Sequence, residues 1–446
     1  MRLAAASGLA RLVVAVLWGP SFSNDAGRYT KLEGGGVDID WLGTDSSPAP
    51  LTQIIWHLPH DAAIAVQAMV SGLAWGLLAV VVLRLSDHWR RAPILALGAL
   101  LASWTPMMVT YDAMPLPDSI AYSGSMALLA GLIDRFVSPR PILSARHSFI
   151  VMVAGLFAAV ASQPVNIVPL APLVGVSALL GWRTRPRLSA VALGVVIVIG
   201  LYAVVASSNA TSGQPEENRT QNRLAIRASD AYLNVAEELG MPRCDSPSRA
   251  DLIAGAEASY STFGIGPLRQ QLILPGDQAA RDTALRALKA ADCPALHQWT
   301  RSGEFDMFTP VLRLPLLHLR LFALDQVAMF TPFSPDERVP LGIRFIDPVL
   351  WLATSVGTGM LLLNRWFTAL RRPERRLGWI RPEAALGSVA ALSWFVYQAL
   401  NWMAEPMDLA RHLLPVTIML PFLAAAFTLG HGRRQPASDQ SPTVRA

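Results

Sequence analysis

Residues 188–207 read LSAVALGVVIVIGLYAVVAS, an unbroken apolar stretch without a charged side chain. A helix of this length, rising about 1.5 Å per residue, crosses the roughly 30 Å hydrocarbon core of a bilayer. Because a backbone in lipid must satisfy its own hydrogen bonds, a continuous apolar block of this kind predicts a helix rather than a strand. The stretch therefore predicts a transmembrane span, and similar stretches along the chain predict a bundle of such spans.

Comparable blocks recur through a chain that is 52% hydrophobic and only 15% charged. They predict an all-α polytopic membrane protein with about ten transmembrane helices and a small helical extracytoplasmic domain. The predicted spans lie near residues 3–22, 61–83, 92–110, 119–133, 148–163, 165–182, 188–207, 346–367, 384–404 and 413–430. A cleaved signal peptide is the alternative for the first block, but no convincing small-residue cleavage site precedes Asp25, which favours a retained span.

Arginines gather in alternate connections between the predicted spans, and the positive-inside bias assigns those connections to the cytoplasm. Both termini are then cytoplasmic, and the chain is predicted to be a multi-pass protein of the cell inner membrane. The formal net charge of +5 is explained as loop charge facing lipid headgroups, so no nucleic-acid partner is predicted. The clusters are Arg84, Arg90 and Arg91; Arg135, Arg140 and Arg146; Arg183, Arg185 and Arg187; Arg371, Arg372, Arg375, Arg376 and Arg381; Arg433 and Arg434.

The same pattern divides the chain into regions. The first 207 residues form an N-terminal membrane module of about seven spans, and 346–430 form a C-terminal module of about three. Between them, Arg313 and Arg320 share one face of a leucine-rich helix, which predicts a segment lying in the headgroup layer. The remaining predicted regions are the first external loop 23–58, the extracytoplasmic domain 208–310, the interfacial helix and loop 311–345, and the cytoplasmic tail 431–446.

The extracytoplasmic domain contains both cysteines of the chain, Cys244 and Cys293. A pair confined to an oxidising compartment predicts one disulfide closing a loop of about 50 residues. Two separate thiols are the alternative. A helical pattern that begins near Leu224 has a stop signal in Gly240 followed by Pro242.

Polar residues collect at the outer ends of the predicted spans, among them Asp61, Gln163, Asn166, Asp347, Tyr397, Gln398 and Asn401. Spans three to seven carry almost no ionisable residue near their centres. A coupled transporter is expected to have charges or broken helices near the membrane midplane, so the pattern favours a site at the outer leaflet. Candidate residues come from three external loops: Asp25, Arg28, Tyr29 and Trp56; Asp112 and Asp118; Trp402, Asp408, Arg411 and His412.

Three short motifs carry a family resemblance: NDAGRY at 24–29, LPDSIAYSGSMALLAG at 116–131 and DLARHLLP at 408–415. With the span pattern, they resemble the membrane-embedded GT-C glycosyltransferases. The resemblance implies transfer of a sugar from a polyprenyl-phosphate donor to a glycan, lipid or protein acceptor on the outer face. It also implies that an acidic residue of the first external loop serves as base, which is Asp25 here. Asn24 stands where the family often has a second acid, so the second acid is left open.

Elementary chemistry assigns roles to the other candidates. A carboxylate must take the proton of an acceptor hydroxyl, and cations must stabilise the departing lipid phosphate. Asp25 is the predicted base, while Arg411 and His412, followed by Arg28, are predicted to bind phosphate. Inversion follows if only one carboxylate touches the sugar. Residues predicted to bind acceptor or sugar are Tyr29, Asp112, Asp118, Asp408, Trp56 and Trp402.

Each role has a simpler alternative. Asp25 could mark the water boundary, Asp118 could cap a helix, and Arg411 and His412 could anchor a span in headgroups. The tryptophans at span ends are typical interface anchors. No metal ligand is assigned: the acidic run at 38–45 could bind a divalent cation, but it lacks metal-ligand spacing.

Two other functions remain open at this stage. One is a polysaccharide export or scaffold protein that binds a lipid-linked glycan without breaking a bond. The other, less favoured, is a transporter.

Overall fold

The computed structural model is helical throughout its regular structure in the residues it describes. Those residues are 2–20, 49–85, 92–136, 138, 141–182, 186–213, 227–243, 249–250, 253–254, 295, 298–299, 308–329, 343, 346, 349, 360, 389, 392–393 and 396–397. The helices are α1 (Arg2–Trp18), α2 (Pro50–Trp56), α3 (His60–Arg84), α4 (Ala92–Ser103), α5 (Pro106–Asp112), α6 (Asp118–Phe136), α7 (Ala145–Ser162), α8 (Ile167–Gly181), α9 (Pro186–Gly213), α10 (Asp230–Glu238), α11 (Phe308–Arg313) and α12 (Pro315–Met329), with a 3-10 turn at Pro164–Asn166 between α7 and α8.

Three of these helices are long and apolar enough to cross a membrane: His60–Arg84, Ala145–Ser162 and Pro186–Ala206. A fourth span results if the bent pair α4 and α5 crosses as one unit. The regular structure of the described residues is therefore all helical, with the apolar helices of a membrane protein. The larger predicted number of spans depends on residues outside the described ranges.

The span predicted at 92–110 is not one straight helix, because the chain bends by 54° between α4 and α5. Thr105 precedes Pro106 and adopts an extended conformation, since proline disfavours the helical region for the residue before it. Two side chains then take up carbonyl oxygens at the end of α4: Ser103 Oγ donates to Leu100 O at 2.6 Å, and Thr105 Oγ1 donates to Ala102 O at 3.1 Å. The helix resumes and carries Asp112, which was expected in a loop.

Helices α1 and α3 pack closely because small residues line their contact. A Cβ atom added at Gly72 would lie 2.7 Å from Ser7 O, and one added at Gly76 would lie 2.6 Å from Ala4 Cα. Glycine at this spacing lets two backbones approach inside a membrane. The same contact brings Arg11 against α3, because its Cβ lies 2.9 Å from the atom that a side chain at Gly72 would add.

Helix α6 forms the centre of the bundle and is buried along most of its length, including the predicted span 119–133. It packs on α7 at another close contact, where a Cβ added at Gly124 would lie 2.6 Å from both Ala159 N and Gly155 O. By contrast, α9 exposes Ile197, Val198, Leu201 and Val204. An apolar face of this kind is suited to lipid or to another membrane helix.

The predicted helix stop at Gly240 is confirmed: α10 ends at Glu238, and Gly240 adopts a positive φ of 98°. Ser229 caps the helix start by accepting a hydrogen bond from Tyr232 N. The helix contacts the segment predicted to lie in the headgroup layer through a Glu238–Arg313 ion pair and a Tyr232–His318 ring contact. Neither α11 nor α12 has the length and apolarity of a span.

Candidate functional site

One end of the bundle gathers the polar side chains of several helices. Trp56 Nε1, at the end of α2, donates to Gln67 Oε1 at 3.2 Å. Gln67 Nε2 reaches Leu116 O, in the turn between α5 and α6, at 3.5 Å. This end of the bundle is also where α1 ends at Trp18 and α2 begins at Pro50, so it adjoins both ends of the predicted first external loop.

A buried ion pair is the strongest electrostatic feature of this end. Arg11 Nε donates to Asp112 Oδ2 at 2.6 Å, and the two side chains are only 1% and 2% exposed. Ser119 Oγ donates to Asp112 Oδ1 at 2.6 Å. Both carboxylate oxygens are therefore occupied by donors, as a buried charge requires.

The guanidinium of Arg11 is much less satisfied than its partner. Its η1 and η2 nitrogens are buried and have no hydrogen-bond partner among the described residues. The ring of Trp104 lies beneath the cation, with Cζ 5.6 Å from the ring centroid, which contributes a cation–π attraction. The pair thus leaves two hydrogen-bonding nitrogens available in the interior of the protein.

A second network connects distant parts of the chain at the same end. Asp118 Oδ1 accepts from Gln163 Nε2 at 3.1 Å, and Asn166 Nδ2 donates to Gln163 Oε1 at 3.3 Å. Tyr397, from the predicted C-terminal module, donates its hydroxyl to Asn166 Oδ1 at 2.9 Å. Since Asp118 and Ser119 are adjacent at the start of α6, the two networks meet there.

Three of the predicted site residues lie within the described structure. Asp112 and Asp118 are both buried at the outer end of the bundle as the topology predicts it, Asp112 at the end of α5 and Asp118 at the first position of α6. Trp56 is also buried and packs with Ala15, Ala63, Ile64 and Ala68, an arrangement that favours a packing role over sugar stacking. The other predicted residues lie outside the described ranges: Asp25, Arg28, Tyr29, Trp402, Asp408, Arg411, His412, and the cysteines Cys244 and Cys293.

Sequence reasoning missed Arg11. The available signal was a single arginine inside the first apolar block, since ionisable residues within membrane helices generally mark functional sites. Its partner could not be identified from the sequence, because the pair is separated by 101 residues and depends on the bend before α5. The buried pair and the broken helix also weaken the sequence argument against a transporter.

The described residues hold no group of three or more His, Cys, Asp and Glu side chains placed to bind a metal ion. Comparisons with protein-family models, with curated proteins and with solved structures returned no match. The interpretation of the site therefore depends on its own geometry and on the short motifs.

Proposed function

We propose that this protein is a membrane-embedded glycosyltransferase that moves a sugar from a polyprenyl-phosphate donor to an acceptor on the extracytoplasmic face of the membrane. The observation that supports it best is the Arg11–Asp112 pair, a buried cation with spare donors beside a fixed carboxylate. A reaction that separates a lipid phosphate from a sugar needs cationic donors for the phosphate and a carboxylate near the acceptor.

The proposed topology has about ten spans in the inner membrane, with both termini in the cytoplasm. The first external loop would then cover the end of the bundle that carries Asp112 and Asp118. In this proposal Asp25 removes the acceptor proton, and Arg28, Arg411 and His412 contact the donor. These four roles follow from sequence position and resemblance.

The mechanism is a single displacement. The acceptor oxygen attacks the anomeric carbon as Asp25 takes its proton, and the bond from that carbon to the phosphate oxygen breaks with its electron pair. The buried guanidinium of Arg11 would stabilise the charge that grows on the phosphate, because hydrogen bonds to ions are stronger in a poorly hydrated site. Inversion of the anomeric centre is expected if a single carboxylate faces the sugar.

The experiment is a turnover assay with the full chain in nanodiscs. It uses a panel of polyprenyl-phosphate hexoses and pentoses as donors, a membrane lipid and glycan extract as the source of acceptors, and release of polyprenyl phosphate as the readout. Asp25→Asn should reduce turnover by at least about a hundredfold, the usual contribution of a general base. Asp40→Asn changes another acid of the same loop and should stay within a few-fold of wild type. Equal turnover by the two variants, or no turnover by wild type with any donor, contradicts the proposal.

One observation favours a second function. A bent helix pair and a buried ion pair are features of ion-coupled transporters. A transporter would make Asp112→Asn reduce proton uptake into sealed proteoliposomes, measured with an internal pH dye, whereas a transferase would show no proton flux in either form. A non-catalytic export protein would keep its function within a few-fold after Asp25→Asn, whereas a transferase would lose turnover.

A further inference from the structure

Arg11 meets Asp112 through only one of its three guanidinium nitrogens. An arginine and an aspartate at their strongest meet through two parallel hydrogen bonds. Here a single nitrogen, Nε, contacts the carboxylate at 2.6 Å, and the η1 and η2 nitrogens have no partner in the described part of the chain. Leaving buried donors unsatisfied is unfavourable, so an arrangement of this kind indicates a missing acceptor.

The geometry of the η1/η2 edge of Arg11 limits which chemical groups can be its acceptor. The two η nitrogens lie in one plane with fixed spacing, which matches a pair of oxygens on a phosphate or carboxylate. In the described structure both oxygens of Asp112 are already occupied, by Arg11 and by Ser119. Among the described residues no second oxyanion meets the η1/η2 edge, and a bound ligand would supply one.

The position of Arg11 limits the source of that oxyanion. The residue lies seven positions before Trp18, so it is about 10 Å below the end of α1 at a rise of 1.5 Å per residue. With this end outermost, as the predicted topology has it, that depth lies in the outer half of a hydrocarbon core about 30 Å thick. Trp104 beneath the cation and Gly72 beside its stem hold the guanidinium in place.

We infer that the η1/η2 edge of Arg11 binds a phosphate group, that of the polyprenyl-phosphate donor, with Asp112 fixing the orientation of the guanidinium. The inference deepens the proposed transferase and rests on it for the identity of the lipid. Free phosphate shares the same chemistry, and the experiment separates the two sources.

The test measures binding of farnesyl phosphate to the full chain in phosphatidylcholine nanodiscs, with farnesol and inorganic phosphate as parallel probes. Arg11→Gln alone would leave Asp112 buried without a cation and could fail to fold. The informative variant is therefore the neutral pair Arg11→Gln/Asp112→Asn. Asp112→Asn keeps the guanidinium, Arg11→Lys keeps the charge but loses the planar edge, and Arg243→Gln is the exposed control.

The inference predicts that the neutral pair weakens farnesyl phosphate binding at least about tenfold, the effect of losing hydrogen bonds to a charged group. Arg11→Lys should weaken it to a smaller extent. Asp112→Asn should weaken it less than the neutral pair does, because the guanidinium remains but loses the carboxylate that fixes its orientation, and Arg243→Gln should match wild type. Farnesol should bind poorly to every form.

Equal affinity for farnesyl phosphate in wild type and in the folded neutral pair overturns the inference. If inorganic phosphate binds as well as farnesyl phosphate and depends equally on Arg11, the phosphate site stands and its ligand is free phosphate. Turnover of Asp25→Asn in the same nanodiscs tests the proposed function separately. A loss of turnover there with no effect at Arg11 rejects only the phosphate site.

Discussion

Asp112 and Asp134 are both fully buried carboxylates, but the bundle treats them differently. Asp134, near the end of α6, accepts hydrogen bonds from Ile142 N at 2.7 Å, Leu143 N at 3.1 Å and Ser148 Oγ at 3.1 Å. All three donors belong to the connection into α7 or to its first turn. Asp134 therefore fixes the turn between two helices.

Asp112 accepts a similar number of hydrogen bonds, yet one of its donors is a cation with nitrogens to spare. This contrast distinguishes a structural polar site from a functional one. In the first, donors and acceptors are matched among neighbouring residues. In the second, residues distant in sequence meet and leave hydrogen-bonding capacity for something else. Three substitutions test this contrast, in order of expected effect, and a pH change at His318 follows as a smaller effect elsewhere in the structure.

The largest effect should come from Arg11→Leu, which breaks the pair and leaves the Asp112 carboxylate without its cation. Removing one partner of a buried ion pair costs about 3–5 kcal/mol of stability. We expect a strongly lowered midpoint of thermal unfolding in detergent, and substantial recovery when Asp112→Asn is added. A single variant as stable as wild type would mean that the pair is not buried as described.

Asp134→Asn should destabilise by about 1.5–3 kcal/mol, because hydrogen bonds to a charged acceptor are lost or weakened and an amide group faces backbone donors. The midpoint of thermal unfolding measures the loss. The contrast with Asp112 appears in ligand binding: the folded Asp134→Asn protein should bind farnesyl phosphate as wild type does. Weaker farnesyl phosphate binding by Asp134→Asn would remove the distinction between Asp112 as part of a functional site and Asp134 as a structural residue.

Gly124→Ala tests the close contact between α6 and α7. Gly124 lies between Asp112 and Asp134 in the sequence. The added Cβ would lie 2.6 Å from two backbone atoms, so the helices must move apart at a cost of about 1–3 kcal/mol. Gly98→Ala is the matched control, since its Cβ would meet nothing within 4 Å and alanine favours the helix. Thermal unfolding of both variants gives the comparison, and equal midpoints would contradict the close packing.

The smallest effect on stability is expected at His318 in α12, away from Asp112 and Asp134. Burial lowers its pKa, and the Arg227 cation acts in the same direction, while the Leu314 carbonyl opposes them. The folded protein thus favours neutral His318, so this contribution is present above the unfolded pKa of about 6.5 and is lost as the pH falls below it. Between pH 7.5 and 5, the thermal midpoint should fall further for wild type than for His318→Gln. Identical falls would contradict the assignment.

The sequence predicted well those features that depend on neighbouring residues. The apolar run at 119–133 became α6, the stop at Gly240 was correct, and the polar character of Gln163, Asn166 and Tyr397 marked one end. The sequence did not predict which distant residues contact each other. No residue near Arg11 in the sequence identifies Asp112 as its partner. The bend at Pro106, which precedes the helix turn carrying Asp112, lies inside an apolar run and was not predicted.

The dipeptide Thr105–Pro106 did contain a usable signal, because proline restricts the residue before it. A single arginine in the first apolar block was another. Both were outweighed by the overall hydropathy, which favours continuous spans. Composition therefore identified the class of protein, whereas the site depends on contacts between distant helices.

The most direct test of the central claim is the amount of polyprenyl-phosphate-linked sugar in cells whose only copy of the chain is Asp25→Asn. Mass spectrometry of extracted lipids would compare these cells with wild type and with Asp40→Asn. The proposal predicts that one polyprenyl-phosphate sugar accumulates several-fold in the Asp25→Asn cells alone, because its consumption stops. An unchanged lipid pool in those cells would contradict the proposed transfer reaction.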